Sequence, residues 1–588
     1  MAMGDTAVAD TDMASDIKIA AGDPLSLAQQ IGKTHPDDQR LMAAYAIAAL
    51  LSLIGAFALA AILVAIKTPA LGLAGGDFFY ATLYYRMLTG HAILGFVYWF
   101  AFIQAALLIA GATALRNGGR LWSLKLGWLA FAFTAAGLVI NMIGVFSGAD
   151  VLYTAFPPLA ESFPATPLIY LGYLFVAAGA FLISLDFLAT VFTWVDRKGS
   201  LRAWKRMLTE IHVSTFAAIC AVPLIFSIVL TAAYLYIPAF LWSMGWISRD
   251  AGEFALNFRL TYHVLFHIIH YIPAMAMIAA AYVLVELTTG AHSVYRKTVA
   301  KALFLMYPAV VPPTFVYHLM ADPSITQGVK IIGSALSLLV WIPSLLHMFI
   351  ISGMMEARMR SAGHGLFGWI RHLPWKNPAF GSLIMGMITF GIAGALTAVL
   401  LQEQTASLLH GTFAVPAYIH PMVVGAASLI YMGIMYYGVS IYMQRDLWGS
   451  RMARIQPYLL SVALLVFAWA GTLAGYAGVP RRTADISFGG VAPKSWEPLM
   501  NVAMGVGGTL TLVAGVLFFV VAGMTMLAGR KLPASELGDD LAMLAVTPTR
   551  EFAYTPTALI PGVIFVLIVL MFTAGAFAIM GNWPIRFS

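Results

Sequence analysis

Thirteen runs of about twenty or more predominantly apolar residues constrain this 588-residue chain more than any other feature of it. They lie at about 41–66, 79–110, 121–146, 168–195, 213–236, 258–287, 297–320, 329–355, 380–402, 411–443, 456–477, 497–527 and 558–580. A bilayer's hydrocarbon core is about 30 Å thick, and a helix rising about 1.5 Å per residue crosses it in some twenty residues. In lipid, every backbone N–H and C=O must find its partner within the protein, so only helices and closed barrels span. The runs are about twice the length of a barrel strand, which predicts an all-α polytopic membrane bundle of about thirteen transmembrane helices. Charged residues make up 10% of the chain. Soluble domains carry about 25%, so water is not the solvent for most of this surface.

The loops set an orientation. Arg116 and Arg120 follow the second run, and Arg197, Lys198, Arg202, Lys205 and Arg206 the fourth. Arg296, Lys297 and Lys301 follow the sixth, Arg358, Arg360, Arg371 and Lys376 the eighth, and Arg445, Arg451 and Arg454 the tenth. The alternate loops are poorer in Lys and Arg, so the positive-inside rule puts the N-terminus in the cytoplasm. Residues 1–40 are polar and lack the pattern of a cleaved signal peptide. They are expected to form a cytoplasmic tail ahead of a transmembrane domain at 41–588. The net charge of +7 is carried by these short loops, with no basic-aromatic patch, which argues against a nucleic-acid partner. The single cysteine, Cys220, excludes a disulfide framework, an iron–sulfur cluster and covalent c-type heme.

Ionisable residues inside a membrane are costly and mark functional sites. His91 lies some 12 residues into the second run, His267 and His420 some 9 residues into the sixth and tenth, and His318 near the end of the seventh. With the deduced orientation all four fall towards the outer half of the bilayer, the first three at roughly 14–18 Å depth. There is no H-E-x-x-H and no nearby carboxylate, so a zinc hydrolase site is excluded. Imidazoles on facing helices suit heme iron or copper. Arg481 and Arg482, in GVPRR at the outer end of the eleventh run, lie at the depth where heme propionates need cations.

These residues carry a family resemblance over most of the chain. YYRMLTGH, the ADPS that follows His318, GHGLFGWIRHLPWKNPAF, HGTFAVPAYIHP and GVPRR occur in order over some 400 residues. Together they resemble subunit I of B-type (ba-type) heme-copper oxygen reductases. The resemblance implies that His91 and His420 are the axial pair of a low-spin heme b. It implies a second heme, of a or b type, and a copper held by His267 and His318. It makes Tyr271 the tyrosine cross-linked to the copper histidine, a source of a proton and an electron. It makes Arg481 and Arg482 propionate ligands, and it places Tyr282, Ser344 and His347 on a proton path leading to Tyr271. It further implies a bacterial or archaeal cytoplasmic membrane, a subunit II-type electron-entry protein and a c-type cytochrome or cupredoxin donor.

The chain departs from that pattern twice. Tyr317-His318 stands where the family has two adjacent histidines, and Tyr418-Ile419-His420 stands where it has H-x-H. Tyr418 is therefore expected at the second heme iron and Tyr317 beside the copper. Phenolate is a hard ligand that stabilises ferric iron, and copper(I) prefers imidazole or sulfur. His263 and His270 fall with His267 at i, i+4 and i+7, on one helical face, and are candidate replacement ligands. Three functions stay open on these residues: oxygen reduction to water, action on NO or peroxide, and a non-catalytic electron-transfer subunit with one heme b. The histidine ladder, the arginine pair and the motif order argue against a transporter.

Overall fold

The computed structural model describes residues 31–544, apart from 74–77, 117–119, 150–151, 157–163, 194–204, 206–209, 249, 292–296, 321, 488–490 and 534–535. The described residues form a helical bundle, with eleven helices long and apolar enough to cross a membrane. They are α1 Pro36–Lys67, α2 Ala81–Ala112, α3 Leu124–Phe146, α4 Ala165–Thr193, α5 Val213–Ser243, α6 Glu253–Thr289, α8 Gln327–Ser361, α9 Pro378–Leu400, α10 Ala414–Met443, α11 Ser450–Tyr476 and α12 Trp496–Ala528. The seventh run is not one helix. It is α7, Lys297–Val310, followed by a 3-10 segment, Pro312–Leu319. Pro308, Pro312 and Pro313 remove backbone donors at consecutive turns, so an unbroken α-helix cannot form there. The thirteenth run, at 558–580, and residues 1–30 of the expected tail lie outside the described residues. Helix α1 starts a turn earlier than its apolar run, because Pro36 fills the first helical position and the His35 ring accepts from the Asp37 N–H.

Small residues let helices approach where no hydrophobic force drives them together in lipid. The α3–α4 contact shows this most clearly. A Cβ on Gly172 would meet the Asn141 side chain at 2.2 Å, and one on Gly137 would meet the Gly172 carbonyl at 2.8 Å. Asn141 spends its polar atoms across that seam, accepting from Tyr98 Oη at 2.6 Å and donating to the Ile169 carbonyl at 2.8 Å.

Helices α6 and α10 are the centre of the bundle. In their most apolar stretches 67% and 72% of residues are buried, against 33% in α1, α3 and α12. Helix α6 touches α2, α5, α8, α9, α10 and the Pro312–Leu319 segment. A residue on α6 therefore faces protein rather than lipid. Three helices carry a wider π turn, at Ile93–Tyr98 in α2, Pro421–Ser428 in α10 and Asn501–Gly508 in α12. Such turns collect at functional sites, and the first two begin just beyond His91 and His420.

Candidate functional site

His91 and His420 face each other across the bundle. Their ring centroids are 6.1 Å apart and their planes differ by 6°. Each ring is fixed from behind by a carbonyl. His91 Nδ1–H donates to Ala56 O of α1 at 2.9 Å, and His420 Nδ1–H donates to Pro416 O, one turn back on α10, at 2.9 Å. A carbonyl only accepts, so the proton is on Nδ1 and the lone pair on Nε2, the arrangement of a metal-bound histidine. Two imidazoles bound to one metal from opposite sides have centroids about 6 Å apart, given a metal–nitrogen bond of about 2 Å. The pair therefore fits a bis-histidine heme iron. Pro421, directly after His420, cannot donate to a carbonyl and opens the π turn, and Phe467 of α11 lies 5.2 Å from the His420 ring.

The other histidines form a second constellation. His318, on the proline-broken segment, has ring centroids 5.3 Å from His267, 5.8 Å from His270 and 6.3 Å from His263. Interplanar angles run from 31° to 72°. His263 and His270 donate from Nδ1 to the carbonyls of Arg259 and Phe266, at 2.6 and 2.5 Å, which leaves their lone pairs on Nε2. His267 is the reverse. Its Nε2 lies 2.7 Å from the Val311 carbonyl and 2.6 Å from Thr314 Oγ1, so the proton is there and the lone pair is on Nδ1. Tyr271 lies beside it, with ring centroids 4.8 Å apart. Among the described residues no three His, Cys, Asp or Glu side chains are arranged to hold one metal ion. The side chains as placed do not fit a copper ion.

The tyrosines expected as ligands divide. Tyr418 sits two residues from His420, on the opposite side of α10, and packs against Leu400, Leu409 and Ala414. Tyr317 lies in the 3-10 segment, and its side chain is outside the described residues. At the far end of α6, Tyr282 Oη lies 3.0 Å from His347 Nδ1, and Tyr307 Oη lies 2.8 Å from Ser344 Oγ. Tyr307 stacks over His347 with centroids 6.4 Å apart. The structure thus joins Tyr282, His347 and Ser344 through a residue that the sequence did not single out.

Arg481 and Arg482 are positioned by a short antiparallel pairing. Phe413 N–H donates to Val479 O at 2.8 Å and Arg481 N–H to Gly411 O at 3.0 Å. Arg482 has a left-handed φ of 56°, which is uncommon for a residue with a Cβ and occurs where a fold constrains a functional turn. Its guanidinium donates to Tyr153 Oη and lies over that ring. Tyr153 in turn stacks on Phe266, and Phe96 of α2 reaches both Phe266 and His270. His410 is a further residue that the sequence reading missed. Burial and the charges of Arg481 and Arg482 push its imidazole down to about 4, so it is neutral beside them. Burial and Arg482 lower Arg481 to about 10, still cationic at neutral pH.

Comparison with known proteins places the chain as a whole. The sequence pattern of the family described as cytochrome c and quinol oxidase polypeptide I matches residues 40–510. The cytochrome c oxidase subunit 1 of Thermus thermophilus is 28% identical over 467 residues, 76% of this chain and 77% of the relative. A cryo-EM structure of a heme-copper terminal oxidase dimer superimposes with a TM-score of 0.75 at 20% identity, over 92% of this chain and 91% of that one. At that identity the likeness is one of fold.

Proposed function

The chain belongs to the cytochrome c and quinol oxidase polypeptide I family, and we propose that it is the redox subunit of a membrane respiratory oxidase, carrying electrons through a bis-histidine heme b at His91 and His420 towards the site around His318. The observation that carries this reading is the parallel His91–His420 pair at 6.1 Å, with both Nδ1 atoms fixed by carbonyls. When held by His91 and His420, the heme would supply a one-electron carrier. The chain's own residues do the rest. Ala56 and Pro416 set the tautomers, so no ring has to reorient on reduction. Arg481 and Arg482 offer positive charge for two propionates. Phe96, five residues beyond His91 on the same helix, packs its ring on His270 at 4.8 Å.

With a heme and a copper held at the second site, the chemistry supplied there would be reduction of O2 by four electrons and four protons to two waters. Tyr271 supplies a hydrogen atom from its hydroxyl, and Tyr282, His347, Tyr307 and Ser344 return the proton. Tyr418 is assigned to the second heme iron. The electrons come from a c-type cytochrome or cupredoxin through a subunit II-type partner, in a bacterial or archaeal cytoplasmic membrane with the N-terminus inside. One observation favours a second reading. His267, His270, His263 and His318 are adjacent but no three are arranged to hold one ion. A chain with that site unfilled passes electrons through one heme and reduces nothing.

Heme and copper per polypeptide, by pyridine hemochrome and metal analysis of the purified complex, together with O2 consumption, decide between them. Two hemes with O2 uptake support the oxidase. One heme, no copper and no O2 uptake leave the electron carrier.

A further inference from the structure

Helix α6 carries a stripe of polar residues that the proposed oxidase chemistry uses only in part. From His267 to Tyr271 is about one turn, from Tyr271 to Tyr282 is eleven residues, just over three whole turns, and from Tyr282 to Glu286 is about one turn more. All four share one face of a single helix. Between Tyr271 and Glu286 that face runs about 22 Å, to the end of the bundle remote from Arg481 and Arg482.

Glu286 is mostly covered, and its Oε1 lies 3.4 Å from His212 Nε2, whose side chain is covered to the same degree. His212 caps the first turn of α5. Its Nδ1 accepts from Ser214 N–H at 3.1 Å, which places the ring proton on Nε2, facing the carboxylate. One turn further in, Tyr282 is fully buried and bonded to His347 Nδ1. His347 Nε2 is buried with no hydrogen-bond partner among the described residues. An imidazole with one nitrogen bonded to a phenol and the other unbonded can take a proton on Nδ1 and release one from Nε2. The other charged or titratable groups around this end come from three further helices. Lys301 of α7 lies 5.7 Å from the Phe216 ring, one turn from His212, Arg358 of α8 donates to the Thr289 carbonyl, and Tyr437 of α10 donates to the Leu287 carbonyl.

We propose that Glu286, paired with His212, is the group through which protons enter the Tyr282–His347 chain. The inference rests on the reading of Tyr271 as the end of a proton path. The Glu286 carboxylate, held in place by the His212 Nε2–H, takes a proton from water. It passes that proton towards the Tyr282 hydroxyl as the hydroxyl's own proton moves to His347 Nδ1. His347 releases its Nε2 proton inward towards Tyr307 and Ser344. Each group regains the proton it gave, so charge and atoms balance over one passage. Glu286 acts as a positioning and relay group and touches no reacting atom.

The test is proton uptake on reduction of the purified, heme-loaded complex by dithionite, followed with a pH dye in unbuffered solution. Glu286→Gln is expected to slow uptake about tenfold or more, with Glu286→Asp restoring it to within about threefold. Heme content and visible spectra should be unchanged in both. Uptake at the wild-type rate in Glu286→Gln overturns the proposal. So does equal slowing in both variants with altered spectra, which marks a structural role, and so does a wild-type complex that takes up no proton. Slow uptake in Glu286→Gln, in a complex that consumes no O2, sustains this proposal while removing the oxidase reading.

Discussion

The two histidine constellations are made of the same residue type, in one bundle, a few rings apart, yet they are held differently. His91 and His420 stand on transmembrane helices, each just ahead of a π turn, and are each pinned by a carbonyl, and their planes agree within 6°. His318 stands on a proline-broken 3-10 segment, and its three imidazole neighbours differ from it by 31° to 72°. Helix backbone fixes a side chain's direction through a regular repeat of Cα–Cβ vectors, whereas Pro312 and Pro313 interrupt that repeat just before His318. The first site is thus preorganised by the fold alone. The second needs its ligand to bring the rings to one point.

The sharpest way to break this comparison is to remove one ring of the ordered pair. His420→Ala and His91→Ala are each expected to lose one whole heme equivalent in the pyridine hemochrome assay, with helical content by circular dichroism unchanged. Retention of the full low-spin spectrum in either variant would mean that another residue ligates the iron, and the pair's geometry would be a packing coincidence.

At the disordered constellation the expected effect is partial. Copper in the wild-type complex should fall below one ion per chain, since among the described residues no three His, Cys, Asp or Glu side chains are poised for it. His318→Ala should abolish what remains, because His318 is the neighbour common to His263, His267 and His270. His263→Ala and His270→Ala should each leave more than His318→Ala does. Metal analysis of the four proteins checks this. One full copper ion in the wild type, untouched by His318→Ala, would reverse the ranking.

These contrasts also show how far the sequence was legible. Eleven of the apolar runs reappear as long helices because length and hydropathy alone decide spanning. His91 and His420 stand out because depth along a regular helix can be counted from sequence at a fixed rise per residue, and the motif resemblance pairs them. What could not be read depends on contacts between distant segments. Thr314 and Val311 take the His267 ring from 47 and 44 residues away, and Tyr153 meets Arg482 across 329. Tyr307 reads as one more apolar-run aromatic until α7 packs beside α8. The break at Val311 was legible in its prolines, and reading 297–320 as a continuous helix overlooked them.

Tyr418→His narrows the difference between the sites by giving the second one an imidazole where a phenol stands. A phenolate on ferric iron stabilises the oxidised form, so its replacement should raise the midpoint potential of the second heme. The expected rise is at least about 59 mV, a tenfold change in a one-electron equilibrium. Redox titration of the Soret band checks this. An unmoved potential would mean that Tyr418 stays packed on Leu400 and Leu409 and never reaches an iron.

The smallest expected effect concerns what holds the proline-broken segment in place. Asp322, just beyond it, pairs with Arg259 of α6 at 2.9 Å, one turn from His263. Burial alone would raise the Asp322 carboxyl, but bonds from the Ser324 hydroxyl and N–H and the Arg259 charge hold it below the ordinary carboxylate range. A carboxyl whose folded pKa is depressed contributes stability that is present above its unfolded value, near 3.8, and is lost as pH falls through the folded value. Asp322→Asn should therefore lower stability in detergent slightly at pH 7, by no more than about 1 kcal/mol since the Arg259 side is open to solvent, read as a small fall in the thermal midpoint. The gap to wild type should close as pH drops below about 4. The same variant should leave the His91–His420 spectrum untouched while loosening copper further, because only the second constellation hangs on this ion pair. A gap that persists unchanged in acid would mean that the Ser324 turn, rather than the charge, anchors His318.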